Sequence, residues 1–195
     1  FDSFTMNQIE LFDTMSKQIM AEFPYPIMRH ILNSAGIERF RDYQFDMVRL
    51  GIGLYGISFV NPQACQPIST LKTFVSGIRD MENNASVGYS RKTILKRKSK
   101  IAVIPIGYAD GFNRKLSNGV GTVLIHGKEV PVVGNICMDA AMIDITDVPD
   151  VKLGDEVILF GKDLPVTKMA EKIGTIPYEV MTSIARRVKR VYVYE

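Results

Sequence analysis

Four stretches of the 195-residue sequence place reactive side chains beside glycine, and they read MVRLGIG, SVGYS, IPIGYADG and VVGNICMDAA. The first holds Arg49 and the second holds Tyr89. A tyrosine hydroxyl transfers protons when cationic or hydrogen-bonding groups favour its ionised form. Each stretch alone also fits a simpler interpretation. Glycine serves a turn, Tyr89 caps a surface turn, and Arg49 forms an ordinary ion pair.

Other catalytic chemistries lack the residues that they need. The sequence has no Ser-His-Asp set and no phosphate-binding G-x-x-x-x-G-K-[ST] pattern. His30 and His126, with scattered carboxylates, make a poor metal site. Cys65 and Cys137 form no C-x-x-C pattern, which indicates a reduced, cytosolic compartment.

Composition narrows the possible partners. The chain is 46% hydrophobic and 23% charged, as globular proteins are, and its formal net charge of +3 is too weak to predict nucleic-acid binding. The basic run at residues 91–100 is expected to be a solvated strand or hairpin edge. No long apolar run or signal peptide is present, so no membrane association is predicted. The chain opens in a helix without an initiator methionine, and we expect it to be a segment of a longer protein.

The elements that would position these residues change in type along the chain. An apolar helix face is predicted at the start from six residues spaced by three or four: Met6, Ile9, Phe12, Met15, Ile19 and Phe23. IMRHILN then predicts a strand, SAGIERFRD a helix with Ser34 as its cap, and FDMVRLGIGLYGISF a strand, a turn and a short helix. This alternation is typical of a parallel sheet or a (β/α) barrel, although a whole barrel needs about 250 residues.

The pattern becomes β-rich after a predicted linker, VNPQACQP, at residues 60–67. Strands are predicted in SKIAVIPIGYAD, GTVLIHGKEVPVVG, AAMIDIT and DEVILFG, with a tight hairpin at IHGKEV. LPVTKMAEKIG and PYEVMTSIARRV predict two helices, and KRVYVY predicts a final strand. The predicted fold is therefore α+β, with a first domain at residues 1–66 and a second at residues 67–195.

In this order and spacing, the motifs SVGYS, IPIGYADG, GNICMD and IPYEV resemble those of alanine racemase, a pyridoxal phosphate enzyme of fold type III. The resemblance runs from about Arg29 to the end. It implies the C-terminal strands and helices of a (β/α)8 barrel, followed by a mainly β, barrel-like domain with two helices. It also implies that the lysine that holds the cofactor lies outside this chain. Lys17 has no matching context and is expected to be a surface residue.

The resemblance implies roles for three residues around the cofactor ring and the substrate. Tyr89 matches the tyrosine that exchanges a proton with the substrate on one face, opposite the family's lysine. Arg49 matches the arginine that faces the pyridine nitrogen and disfavours a proton there, which limits side reactions. His30 matches a histidine that orients this arginine.

The remaining cofactor contacts implied by the resemblance belong to the phosphate. Ser34, Gly51, Ile52 and Tyr178 match this set. Their types suit the task, because glycine lets a backbone N–H approach a phosphate closely and a helix start favours negative charge.

On the substrate side, the resemblance implies that the backbone N–H near Met138 meets the substrate carboxylate, beside Asp139. Tyr108 would narrow the access route and Arg114 would line it. One departure is visible, because some members of the family have arginine where Asn135 stands. The family forms head-to-tail homodimers with shared active sites, so Tyr89, Tyr108 and Met138 would serve the partner's site.

The implied function is a pyridoxal-phosphate-dependent racemase of the bacterial cytoplasm that interconverts L- and D-alanine for peptidoglycan synthesis. Because the lysine is absent, the isolated chain is expected to be inactive. Two alternatives stay open: a racemase for another small amino acid, such as serine, and a non-catalytic module that binds or dimerises.

Overall fold

The computed structural model describes residues 2–193. These residues divide into two compact units on either side of the Pro67–Ile68 bond. The first unit begins with helix α1 (Asp2–Ala21), as its apolar spacing predicts, and continues with helix α2 (Ser34–Arg39). Two 3-10 turns follow, at Arg41–Tyr43 and Ile52–Tyr55.

The two strands predicted for the first unit are extended segments joined by a single parallel bridge, Asn33–Arg49. The backbone N–H groups of Asp46 and Arg49 donate to the carbonyls of Arg29 and Leu32, at 3.1 and 2.9 Å. A parallel ladder needs evenly spaced bonds along both strands. Here the contacts lie three residues apart, so no regular strand forms.

The N-cap of α2 differs from the prediction. Asn33, not Ser34, occupies the cap, and its Oδ1 accepts a hydrogen bond from the Gly36 N–H at 3.0 Å. Asparagine and serine are both good caps. Ser34 is therefore the first residue of the helix, and its hydroxyl contacts another part of the chain.

The second unit contains an antiparallel sheet of seven strands within the described residues. Its strands are β1 (Leu71–Phe74), β2 (Gly77–Met81), β5 (Ser99–Ile104), β6 (Thr122–Ile125), β7 (Lys128–Val133), β8 (Ala141–Asp144) and β9 (Glu156–Phe160). They lie in the order β1-β9-β6-β7-β8-β5-β2. A separate pair, β3 (Ser86–Val87) and β4 (Thr93–Ile94), carries part of the basic run.

The predicted hairpin is the β6–β7 connection. His126 and Gly127 form its two-residue turn, with φ of 49° and 72°. Left-handed backbone at both positions matches the right-handed twist of the flanking strands. The hairpin brings the GNICMD motif to the end of β7.

Two helices follow the sheet, as predicted. Helix α3 (Val166–Ile173) is closed by Gly174, and helix α4 (Pro177–Thr182) has proline at its first position. The second helix is shorter than predicted, because the chain after it turns to pair elsewhere. The Ala185 N–H donates to the Asp110 carbonyl at 3.1 Å.

The predicted final strand does not form over residues 189–193, which are exposed. The rest of KRVYVY lies outside the described residues. Within the described range, this segment pairs with no strand of either sheet.

The core of the second unit lies on both faces of the sheet, because neighbouring strand residues such as Val132 and Val133 are both buried. Its most deeply buried strand residues include Val123, Val132, Ile143, Val157 and Leu159. Helix α3 buries Met169, Ala170 and Ile173. Alternate burial along β8 and β9 is the signature of a half-buried strand. The fold class is α+β, as predicted. Among the helices of residues 2–193, none combines the length and the hydropathy that a membrane crossing requires.

Candidate active site

Tyr89 lies at the start of the short 3-10 turn Tyr89–Arg91, directly after β3. Its side chain is 74% exposed. Ser90 and Arg91 both have left-handed backbone, with φ of 63° and 49°. Non-glycine residues rarely adopt this conformation, and surrounding contacts must maintain it. One such contact is the Asn135 side-chain amide, which donates to the Tyr89 carbonyl at 3.0 Å.

The Tyr108 and Met138 motifs are joined through their backbones. The Tyr108 N–H donates to the Cys137 carbonyl, and the Ala109 N–H donates to the Met138 carbonyl, each at 3.0 Å. A Cβ atom at Gly107 would lie 2.3 Å from both carbonyl oxygens, which explains the glycine. The Tyr108 and Met138 side chains remain exposed. The structure therefore brings these two predicted residues onto one surface.

The Tyr89 motif lies against the start of the loop that holds Cys137 and Met138. A Cβ atom at Gly134 would lie 2.9 Å from the Val87 carbonyl oxygen, at the end of β3. Gly134 also has left-handed backbone, with φ of 70°. Three motifs of the second unit thus gather around residues 134–139.

Arg114 is connected to this loop through Ser117. It begins the 3-10 turn Arg114–Leu116, and its carbonyl accepts the Ser117 hydroxyl at 2.6 Å. The Ser117 oxygen in turn accepts the Ile136 N–H at 2.9 Å. The Arg114 side chain is exposed beside the motifs.

Arg187 joins two parts of the site and was not anticipated from the sequence. Its Nε donates to Asp110 Oδ1 at 2.7 Å, and its Nη2 donates to Asp139 Oδ1 at 2.5 Å. Asp110 Oδ2 also accepts the Gly107 N–H at 2.9 Å. The carboxylate of Asp110, followed by that of Asp139, raises the pKa of the Arg187 guanidinium. Arg187 lies in the basic run ARRVKR, and nothing in that run indicates a contact with Asp110, which lies 77 positions earlier in the chain.

In the first unit, the structure gathers three of the four predicted phosphate contacts. The buried Ser34 hydroxyl accepts the Gly51 N–H at 3.0 Å and the Gly53 N–H at 3.2 Å, and Ile52 lies between these two glycines. Hydroxyl and backbone N–H groups are the donors that hold a phosphate. The types of these groups therefore fit a phosphate, and in this structure the two glycine N–H groups donate to Ser34. Tyr178, the fourth, lies in α4 of the second unit.

Arg49 and His30 also belong to the first unit. The Arg49 Nη2 donates to the Ile31 carbonyl at 2.7 Å. In the part of the chain that the structure describes, the Arg49 and His30 side chains share no hydrogen bond, although His30 adjoins Ile31. A guanidinium only donates hydrogen bonds, so Arg49 suits an unprotonated ring nitrogen.

A cavity of about 300 Å³ in the first unit reaches Arg49 but not Ser34. It is lined by Thr5, Gln8, Ile9, Ile31, Leu32, Asn33, Ala35, Gly36, Arg39, Phe40 and Arg49. These residues come from α1, α2 and the bridged segments. Its lining includes Asn33 and Ala35, on either side of Ser34.

Lys17 has the surface position that its sequence context predicts. Its side chain is 66% exposed on α1 and pairs with Asp13 at 2.6 Å. The hydrogen bond from Lys17 is the largest cause of the lowered pKa of the Asp13 carboxyl. Within residues 2–193, no three His, Cys, Asp or Glu side chains are grouped as a metal site would require.

Two protein families match the chain on either side of the linker. Residues 2–59 match the alanine racemase N-terminal domain, and residues 68–192 match the alanine racemase C-terminal domain. Both matches are to domains of one class of protein, the alanine racemases.

Relatives and solved structures give the same result. Alanine racemase 2 of Caldanaerobacter subterraneus is 43% identical over 98% of this chain and 51% of its own length. Alanine racemase of Clostridium difficile 630 superposes with a TM-score of 0.89 at 38% identity, over 97% of this chain and 50% of that protein. Alanine racemase of Bartonella henselae, solved with covalently bound pyridoxal phosphate, gives 0.85 at 36% identity, over 98% and 52%.

The chain belongs to the alanine racemase family. It spans about half the length of the relatives that it matches.

Proposed function

We propose that this chain is part of a pyridoxal-phosphate-dependent alanine racemase that interconverts L- and D-alanine for bacterial peptidoglycan. Residues 1–66 would be the C-terminal portion of its barrel, and residues 67–195 its β domain. The observation that carries the proposal is the convergence of three motifs around residues 134–139. Local turns would explain each motif alone, but not their meeting with Tyr89, Tyr108 and Met138 all exposed.

The proposed cofactor contacts are those that match the family's motifs. Ser34, Gly51 and Ile52 would bind its phosphate together with Tyr178, and Arg49 would face its ring nitrogen beside His30. When bound, the cofactor withdraws electrons from the substrate α-carbon and so acidifies the proton there. Arg49 keeps the ring nitrogen unprotonated, which limits this withdrawal and discourages side reactions.

Tyr89 would move the proton at one face of the α-carbon through its hydroxyl oxygen. An unperturbed phenol has a pKa near about 10, so it needs hydrogen-bonding or cationic neighbours to act as a base near neutral pH. Because the Tyr89 side chain is exposed, it is accessible to an active site shared with a second subunit of a homodimer. The second base would be the family's lysine, which matches no position here, so the isolated chain would be inactive.

The substrate carboxylate would be bound by the Met138 backbone N–H beside Asp139. The bonds from Tyr108 and Ala109 to the Cys137 and Met138 carbonyls support a fixed orientation for this loop. Tyr108 and Arg114 would line the access route. Cys65 and Cys137, both free thiols, are compatible with the bacterial cytoplasm as the compartment.

The test compares two proteins from a host that lacks racemases. The complete polypeptide that contains this chain, supplied with pyridoxal phosphate, should racemise alanine faster than serine. The 195-residue chain should give no turnover. Faster turnover of serine by the complete polypeptide would establish a racemase for serine instead. No turnover by the complete polypeptide would favour a non-catalytic module that binds or dimerises. Turnover by the 195-residue chain would overturn the assignment of two bases, a lysine and Tyr89.

A further inference from the structure

Asn135 occupies the middle of a hydrogen-bonded relay that ends at Tyr89. Its side chain is 5% exposed, and its amide nitrogen donates to the Tyr89 carbonyl at 3.0 Å. Its amide oxygen accepts the Asn118 amide at 3.0 Å, and the Asn118 oxygen accepts the Thr93 hydroxyl at 2.9 Å. The relay therefore connects β4 to the backbone of Tyr89.

The direction of this relay is fixed by chemistry. The Tyr89 carbonyl only accepts hydrogen bonds, so the nitrogen end of the Asn135 amide must face it. The oxygen end then faces Asn118, whose own nitrogen must donate. A buried amide needs partners at both ends, and here both ends of Asn135 are engaged within the chain.

The Tyr89 loop depends on such contacts. Ser90 and Arg91 hold left-handed backbone that non-glycine side chains disfavour. The Tyr89 ring is exposed, so packing of its own side chain does not orient it. The Arg91 side chain donates to the Ser86 hydroxyl at 3.1 Å, but both residues lie on the loop and the strand before it. Asn135, in the loop that follows β7, joins the Tyr89 backbone to the end of the seven-stranded sheet.

We propose that Asn135 is a positioning residue for Tyr89, acting through the relay Thr93–Asn118–Asn135. This inference rests on the proposed proton transfer by Tyr89. It also gives Asn135 a role different from that of an arginine at the same place. A buried amide with both ends occupied contributes no charge to the access route, and it holds the loop instead.

The first test measures amide hydrogen exchange in the 195-residue chain, so it does not depend on activity. Asn135→Asp keeps the side-chain shape but removes the donor to Tyr89. The Arg91 and Thr93 amides should then exchange about tenfold faster, as expected for loss of one buried hydrogen bond. Asn118→Asp removes the donor to Asn135, tolerates left-handed backbone, and should give a smaller change in the same amides.

Asn84→Asp is the matched control. Asn84 is exposed and also left-handed, with φ of 66°, but it lies outside the relay. Its variant should leave exchange at Arg91 and Thr93 unchanged, and β6–β7 amides should stay protected in every variant. Unchanged exchange in Asn135→Asp would overturn the anchoring role, and so would equal loss of protection across the whole sheet.

The second test uses the complete enzyme and compares α-proton exchange from L-alanine with exchange from D-alanine. Asn135→Asp should slow the L-alanine reaction more than the D-alanine reaction, in the same direction as Tyr89→Phe, and should lower kcat more than it changes KM. Equal slowing by Asn135→Asp alone would reduce Asn135 to a structural residue. If Tyr89→Phe also slows both reactions equally, Tyr89 does not transfer the proton, and the positioning role of Asn135 fails with it. The hydrogen-exchange result does not depend on activity and would still show whether Asn135 anchors the Tyr89 loop.

Discussion

The two units of the chain bury their apolar residues to very different extents. In the second unit, strand residues such as Val132 and Ile143 are fully buried. In the first unit, α1 buries Ile9 but leaves Leu11, Met15 and Ile19 largely exposed. Because apolar burial is the main driving force for folding, the second unit contains its own core and the first has a much smaller one.

This difference separates the two sets of proposed site residues. The residues proposed to contact substrate, Tyr108 and Met138, lie on loops tied to a well-packed sheet. Those proposed to contact the cofactor, Ser34 and Arg49, lie in the unit with the small core. We therefore expect the substrate side to be preorganised by this chain, and the cofactor side to be more easily disturbed.

The largest effect should come from separating the units at the Pro67–Ile68 bond. Residues 68–195 should unfold cooperatively on heating, whereas residues 1–67 should show little helical signal and no cooperative transition. An isolated helix the length of α1 is marginal in water without a packed apolar face. Circular dichroism during thermal melting measures both. Cooperative melting of the isolated fragment 1–67 would show that the first unit folds on its own and would contradict the difference in core size.

A pair of core substitutions should give the next largest contrast. Ile143→Ala removes a fully buried side chain from β8 and should lower the free energy of unfolding by about 2–5 kcal/mol. Leu11→Ala, at a position 60% exposed on α1, should change it by no more than about 0.5 kcal/mol. Urea denaturation of the 195-residue chain measures both values. Equal losses would show that the first unit is packed as tightly as the second.

The Arg187 contacts allow a smaller and more local test. Arg187→Ala should speed hydrogen exchange at Tyr108 and Ala109, because the Asp110 and Asp139 carboxylates lose their shared partner. Arg187→Lys should rescue this only partly, since an ammonium lacks the planar fork that reaches two carboxylates. Arg186→Ala, at the exposed neighbouring position, is the control. In the complete enzyme, the KM for alanine should rise more than kcat falls.

If Arg187→Lys behaves as the parent protein does, the two-carboxylate contact has no part in placing the Met138 loop. If Arg186→Ala gives the same change as Arg187→Ala, the effect is one of general charge.

The smallest effect should come from a substitution at Asp155, whose carboxylate contacts His126 in the β6–β7 turn. A hydrogen bond from the Lys152 backbone, with another from His126, lowers the pKa of the Asp155 carboxyl. A carboxyl with a lowered pKa stabilises the fold above its unfolded pKa, and this contribution is lost as pH falls through the folded value. Asp155→Asn should therefore lower Tm slightly at neutral pH and leave it unchanged at about pH 2. Asp150→Asn, at an exposed left-handed position, is the control.

The fragment of residues 68–195 should show the same pH-dependent difference for Asp155→Asn. A difference that grows toward acid would contradict the sign of the pKa shift.

The sequence predicts those elements whose signals are local. The β6–β7 hairpin follows from two β-branched runs around a short turn, and α3 follows from its apolar spacing and the glycine at its end. The four alanine racemase motifs were also recognisable, because each combines glycine with distinctive side chains over a few residues.

The remaining elements depend on contacts that are distant in sequence. β1 to β4 are two to five residues long and partly polar, so no period stands out. KRVYVY has strong β propensity, but residues 189–193 pair with no strand in the described part of the chain. Arg187 and Asn118 make their contacts through the folded arrangement of three loops. Neither has a local pattern that separates it from an ordinary surface residue.

The central claim is that Tyr89 moves a proton on one face of the substrate, and Tyr89→Phe in the complete enzyme tests it most directly. The measurement is α-proton exchange with deuterated solvent, started separately from L-alanine and D-alanine. Exchange from L-alanine should fall by about 10²–10⁴-fold, the usual loss for a missing general base, and exchange from D-alanine should fall far less. Mixing these subunits with subunits that lack the family's lysine should restore one working site per heterodimer. Equal slowing in both directions without restoration on mixing would leave Tyr89 as a surface turn residue and contradict the account.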